Sequence, residues 1–187
     1  MAAFRGRAAS PDMAKGKEKS REKKASPREK PLKIPESGKC NFTSLRKAAR
    51  RVSQLYAVVL APCGLNPTQW STLIHVGRAG NPTQAQLADS LALDRSALAH
   101  NLQPLERDGF IKSRPDEKDK RSRRIVLTAA GRTKLRESLV LWENAQSHIE
   151  RIFGTRKAKA LRASLDILSS KAFSHAFEMM RQRTRPS

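Results

Sequence analysis

Seven cationic side chains crowd the stretch from Lys112 to Arg124: Lys112, Arg114, Lys118, Lys120, Arg121, Arg123 and Arg124, opposed by Asp116, Glu117 and Asp119. Such groups bind anions. A guanidinium fork pairs bidentately with carboxylate or phosphate, and a lysine acts as a point charge. A solvated loop is the bland alternative for a charge run. The sequence offers nothing for covalent chemistry: no Ser/His/Asp arrangement, no paired carboxylates and no glycine-rich phosphate loop. His75, His100, His148 and His175 are scattered without ligand spacing, and two cysteines, Cys40 and Cys63, cannot make a four-thiolate site. Neither an enzyme, nor a metal centre, nor a bound cofactor is expected.

A second set of polar groups lies just upstream. On a wheel of about 100° per residue, Leu98, Leu102 and Leu105 share one side of the segment Arg95–Asp108. Ser96, His100, Gln103 and Arg107 fall opposite, and Arg95 and Ala99 complete the candidate contact set. That face carries hydroxyl, imidazole, amide and guanidinium groups and no acid, because Glu106 lies on the flank. These groups suit base edges and phosphates. Pro104 should remove a backbone bond and bend the helix near residue 100.

The surrounding elements must hold both sets in place. Apolar spacing predicts a helix from Phe42 to Leu60, closed by Ala61-Pro62-Cys63-Gly64, and a second from Asn66-Pro67 to Gly80. Thr83-x-x-Gln86 reads as a capping box opening a short helix, Thr83–Leu91. Only Ala92-Leu93-Asp94 separates it from Arg95–Asp108, as a helix-turn-helix requires. Gly109 ends that helix. Strands at Phe110–Arg114 and Arg123–Leu127 then flank the basic segment, making it a β-hairpin wing. Two long amphipathic helices, Ala129–Phe153 and Arg156–Arg181, follow. With the first helix they exceed what a winged helix needs, and a second copy of the chain is the simplest cover for their apolar stripes.

The whole chain agrees with a polyanionic partner. It has 187 residues, 38 Lys+Arg against 17 Asp+Glu, a net charge of +21, and only 38% apolar and 5% aromatic residues. Nucleic acid is the favoured partner and a membrane surface the weaker alternative. No apolar run reaches membrane-spanning length, and the N-terminus lacks the apolar core of a secretory signal, so a cytoplasmic protein is expected. Residues 1–39 carry twelve basic and five acidic side chains with Pro11, Pro27, Pro31 and Pro35, which reads as a disordered basic arm; Met13 is an alternative start. The expected organisation is an arm at 1–39, a first dimerisation helix at 40–65, a winged lobe at 66–128 and C-terminal dimerisation helices at 129–187.

With these segments placed, residues 83–135 (TQAQLADSLALDRSALAHNLQPLERDGFIKSRPDEKDKRSRRIVLTAAGRTKL) resemble the MarR family of bacterial transcriptional regulators. A weaker resemblance runs from Cys40 to about Phe153. It implies a mainly helical homodimer with winged helix-turn-helix lobes on a helical body. Such a protein binds palindromic double-stranded DNA, usually represses promoters, and lets go when a small ligand or oxidant acts. It would work at the bacterial nucleoid. The resemblance makes Arg95–Asp108 the recognition helix. It makes Asp119-Lys120-Arg121 the wing motif, in which Arg121 enters the minor groove and Asp119 orients it, with Lys118 and Arg123 beside them.

Three further readings stay open. Trp70, His75 and Trp142 either line a ligand pocket between body and lobe or belong to the core. Cys40, next to Lys39 at the entrance to the first helix, is either a redox sensor or an inert thiol, and Cys63 is a packing residue. A basic architectural DNA-binding protein with little sequence preference is the alternative to a specific regulator. The arm should touch phosphates alone. Deleting residues 1–39 is expected to flatten the dependence of log K on log salt, at about 0.9 per lost phosphate contact, and to leave the preferred site unchanged. Binding titrations over a salt series check this.

Overall fold

The computed structural model describes residues 33–34, 36 and 38–184, so the expected arm falls mostly outside the described residues. Helices begin where side chains satisfy their orphan N–H groups. Asn66 Oδ1 accepts from Gln69 N at 2.9 Å and Gln69 Oε1 accepts from Asn66 N at 3.0 Å, which opens α2 (Pro67–Ala79). Thr83 and Gln86 repeat this reciprocal box on α3 (Gln84–Ser90), at 3.2 and 2.9 Å. Asp94 Oδ1 accepts from Ala97 N at 2.7 Å at the head of α4 (Arg95–Arg107). The turn between α3 and α4 stays short because Ala92 takes a left-handed φ of 51° and Leu93 N donates to Ala88 O.

Strands β1 (Ile111–Pro115) and β2 (Arg123–Leu127) pair antiparallel, with Ser113 opposite Ile125. The hairpin has a further edge that periodicity alone does not show. Thr83 bridges to Arg124, and Ile125 N donates to Pro82 O at 2.9 Å. The turn before α3 is therefore both a helix cap and a sheet margin. Leu73, Val76, Leu87, Leu98, Leu102, Leu105, Ile111 and Ile125 form one buried cluster with Leu60, Cys63 and Leu65. Cys63 Sγ donates to Leu60 O at 3.1 Å inside the 3-10 turn Ala61–Cys63. Each leucine of that cluster contributes about 1.5–3 kcal/mol of burial.

The remaining helices are α1 (Asn41–Leu60), α5 (Ala129–Phe153), α6 (Thr155–Ser169) and α7 (Lys171–Arg183). Helices α1 and α5 pack together, and Tyr56 Oη donates to Gln146 Oε1 at 3.1 Å across them. The single helix expected over Arg156–Arg181 is two. Ser170 has φ −74° and ψ 148°, outside the helical region, and its side chain accepts from Phe173 N at 3.1 Å to cap α7. The serine pair Ser169-Ser170 was the missed signal. Helix α4, by contrast, runs on through Pro104. Phe42, Val58, Ile152, Ile167, Phe177 and Met180 are each more than half exposed, all on helices outside the lobe. Among the described residues, no helix is long and apolar enough to cross a membrane.

One junction fixes the hairpin to α5. Thr128 N donates to Phe110 O at 3.0 Å, Thr128 Oγ1 donates to Gly109 O at 2.7 Å, and the same hydroxyl accepts from Gly131 N at 3.0 Å. Gly131 is buried, and a Cβ there would sit 1.9 Å from Phe110 O. The clash is with backbone, which cannot rotate away. Gly131→Ala is expected to destabilise the protein by about 1–3 kcal/mol or more, the cost of overpacking. Urea unfolding of parent and variant measures it.

Candidate nucleic-acid interface

Burial of one side of α4 settles which side is presented. Leu98, Leu102 and Leu105 are at most 3% exposed. Arg95, Ser96, Ala99, His100, Gln103 and Arg107 are all exposed. His100, Gln103, Pro104 and Arg107 line a shallow depression of about 400 Å³. Arg107 Nε also pairs with Asp108 at 3.0 Å. A separate cleft of about 310 Å³ joins the helix to the wing: Arg95 of α4, Gln84 of α3 and Arg121, Arg123 and the acidic Asp119 of the wing all line it. Two stretches of sequence thus place guanidinium groups around one concave surface, a suitable cradle for a phosphate backbone.

The wing loop is organised around Asp116, which by residue type alone is only a charge opposing the wing cations. Its Oδ1 accepts from Lys118 N at 2.7 Å and from Asp119 N at 3.2 Å, and its Oδ2 pairs with Arg124 Nε at 2.5 Å. Arg124 Nη1 reaches on to Asn81 O at 2.9 Å. Asp116 N donates to Ser122 O, and Ser122 N donates to Asp119 O, at 3.0 and 2.8 Å. The Asp116 carboxyl is buried, and it is held below the usual carboxylate range by the Lys118 N–H, then the Asp119 N–H, then Arg124. An aspartate binding an N–H two residues ahead is ordinary turn chemistry, so the Asp-x-Lys spacing was the available signal.

One expected geometry in the wing needs correction. Asp119 does not hold the Arg121 guanidinium; its Oδ1 accepts from the Arg121 backbone N–H at 3.0 Å, and among the described residues no ion pair joins the two side chains. Arg123 is exposed, and its Nε donates to Ser113 Oγ at 2.6 Å and its Nη2 to Ser113 O at 3.2 Å across the hairpin. Lys118, Lys120 and Arg121 are exposed.

The other candidates fall elsewhere. Trp70 and Trp142 stack with ring centroids 5.9 Å apart, and Tyr56 lies 6.5 Å from Trp70, so α1, α2 and α5 meet in an aromatic cluster. Burial raises the Tyr56 hydroxyl above its ordinary pKa. His75 is five residues beyond Trp70 and about 140° round the helix, with Nδ1 2.7 Å from Ser71 O. The structure brings the two tryptophans together and leaves His75 apart. Cys40 is exposed at the N-cap of α1; the Thr43 hydroxyl, then the Thr43 N–H, lower its thiol pKa. Its neighbour Lys39 pairs with Glu36 at 2.9 Å. No group of three His, Cys, Asp or Glu among the described residues is placed to hold a metal ion.

A helical pair with an exposed second helix, followed by a basic hairpin packed on the same core, is a winged helix-turn-helix. The family model described as MarR matches residues 65–122. The structure of the transcriptional regulator MosR of M. tuberculosis in complex with DNA is 32% identical, covers 76% of this chain and 98% of its own, and has a TM-score of 0.63. That of the transcriptional repressor CouR bound to a 23-mer DNA duplex is 25% identical, with coverage of 75% and 100% and a TM-score of 0.66; another CouR structure names Rhodococcus jostii as source. An HTH-type transcriptional regulator of Bacillus subtilis, YwoH, is 26% identical over 74% of this chain and 92% of its own length. The chain belongs to the MarR family.

The wing carboxylate should leave a mark on acid stability. A depressed carboxyl pKa stabilises the fold fully above the unfolded value of about 3.9, and the benefit disappears as pH falls through the lower folded value. Asp116→Asn removes that contribution. The stability gap between parent and variant is expected to be largest at pH 7 and to close below pH of about 4. Urea unfolding at a series of pH values tests it.

Proposed function

We propose that the protein is a homodimeric, sequence-specific DNA-binding regulator of transcription and not an enzyme, acting in the cytoplasm at the bacterial nucleoid. The observation that carries this is the acid-free face of α4, exposed by burial of Leu98, Leu102 and Leu105 and placed beside a cationic wing. In this reading Ser96, Ala99, His100 and Gln103 meet base edges in the major groove, while Arg95 and Arg107 take phosphates. Arg121 enters a narrow, electronegative minor groove, and Lys118, Lys120 and Arg123 support the wing. MosR and CouR have both been crystallised with DNA, which supports the same docking here. The segments 40–65 and 129–187 form the dimer body, and the exposed Phe42, Ile152, Phe177 and Met180 are the surface a second copy would cover. Residues 66–128 are the reading lobe, and 1–39 an accessory basic arm.

Release by a small effector is part of the proposal. CouR of Rhodococcus jostii has been crystallised with p-coumaroyl-CoA. In this chain the Tyr56–Trp70–Trp142 cluster joins the body helices to α2 of the lobe, so a ligand there would move one against the other. Cys40 is read as an inert thiol, so Cys40→Ser should bind and release DNA as the parent does; a parent released by peroxide and a variant that is not would establish an oxidant switch. The relatives include both a repressor, CouR, and an activatory protein, BadR of Rhodopseudomonas palustris, 37% identical over 75 residues.

Selection from a random duplex pool tests the reading. The parent is expected to enrich a palindrome with half-sites about 10 base pairs apart. Gln103→Ala should relax one base pair per half-site at about 1–3 kcal/mol. Arg121→Ala should weaken binding most where A·T-rich flanks narrow the groove. A flat or merely A·T-rich profile would establish an architectural protein in its place, and sedimentation as a monomer at micromolar concentration would remove the dimer.

A further inference from the structure

We propose that Asp116 is the positioning residue of the wing: its buried carboxylate sets the 117–122 loop in the form that presents Arg121 to DNA, without itself touching DNA. The inference rests on the wing being a DNA contact and deepens that reading. Charge alone argues the opposite effect. An acid among cations lowers the local positive potential, so neutralising it should strengthen binding to a polyanion. The geometry reverses that sign.

Asp116 is 5% exposed and cannot reach a duplex. Its order passes along the chain instead. Asp116 Oδ1 accepts from the N–H groups of Lys118 and Asp119, and Asp119 Oδ1 accepts in turn from the N–H of Arg121. Asp119 O then accepts from Ser122 N, and Ser122 O accepts from Asp116 N, which closes a ring of bonds around the loop. The ring is fixed to the lobe through Arg124, whose Nε pairs with Asp116 while its Nη1 donates to Asn81 O. Arg121 is thus held at its backbone, while among the described residues its guanidinium makes no hydrogen bond or ion pair. The ordering entropy of the loop is met on folding and not on binding DNA, the general gain of preorganisation. Removing the carboxylate would return that cost to the binding step, and only a binding mode that uses Arg121 would feel it.

The test uses the full chain and a duplex selected by the parent from a random pool. Affinities are compared for the parent, Asp116→Asn, Arg121→Ala and the double variant. Asp116→Asn is expected to weaken binding about tenfold in the parent and less than about twofold in the Arg121→Ala background, the signature of coupled residues. Arg124→Lys keeps the charge but loses the fork that spans Asp116 and Asn81, and follows the same pattern. In the free protein, amide exchange at Lys118, Asp119 and Ser122 speeds up in Asp116→Asn while Leu102 and Leu105 stay protected. Equal or tighter binding by Asp116→Asn, an equal loss in both backgrounds, or unchanged exchange in the loop overturns the proposal. A parent that selects no duplex overturns the DNA reading and this proposal with it; a parent that selects one which Asp116→Asn binds equally well overturns this proposal alone.

Discussion

A helix that is to read another molecule must be gripped from behind, and the grip on α4 is the constraint on which the rest of the lobe depends. Leu98, Leu102 and Leu105 lie against Leu73, Val76, Leu87, Ile111 and Ile125. These come from α2, α3 and both wing strands, so one apolar cluster fixes the helix and the hairpin together. The polar side chains on the outer face of α4 lie outside this cluster and are exposed. They are consequently available for recognition, and the same lobe can carry a different set of them without refolding.

Two polar devices complete what the apolar cluster cannot specify. The Thr128–Gly131 junction fixes where the hairpin ends and α5 begins, through bonds to Gly109 O and Phe110 O. The Asp116–Arg124 pair fixes the far end of the hairpin to the turn before α3. A two-stranded ribbon alone is marginal in water. This one is held at its root by a helix cap, along its edge by Pro82 and Thr83, and near its tip by a buried carboxylate.

Periodicity and cap chemistry made much of this legible in the sequence. The leucine spacing of α4 identifies its outer face, because a helix repeats every 3.6 residues whatever surrounds it. The boxes at Asn66 and Thr83 place helix starts for a similarly local reason. What stayed hidden depends on tertiary placement. Asp116 and Asp119 look alike in the sequence, yet one is buried beneath the wing and the other lies on it. The sheet edge at Pro82–Thr83 needs a partner more than forty residues away. The break at Ser170 was a local signal overridden by the apolar pattern running through it. His75 was grouped with Trp70 by residue type, and helical geometry separates them.

The aromatic cluster has a spectroscopic consequence. The chain has two tryptophans, and they are the stacked pair between α2 and α5. All of its indole emission therefore originates where α2 packs on α5. The Trp70 Nε1 is buried and has no hydrogen-bond partner among the described residues. An indole kept from water and unpaired at its N–H emits towards the blue, and separating the rings or admitting water would shift it to the red. The protein thus carries, without any label, an optical gauge of how tightly α2 and α5 are packed at this point.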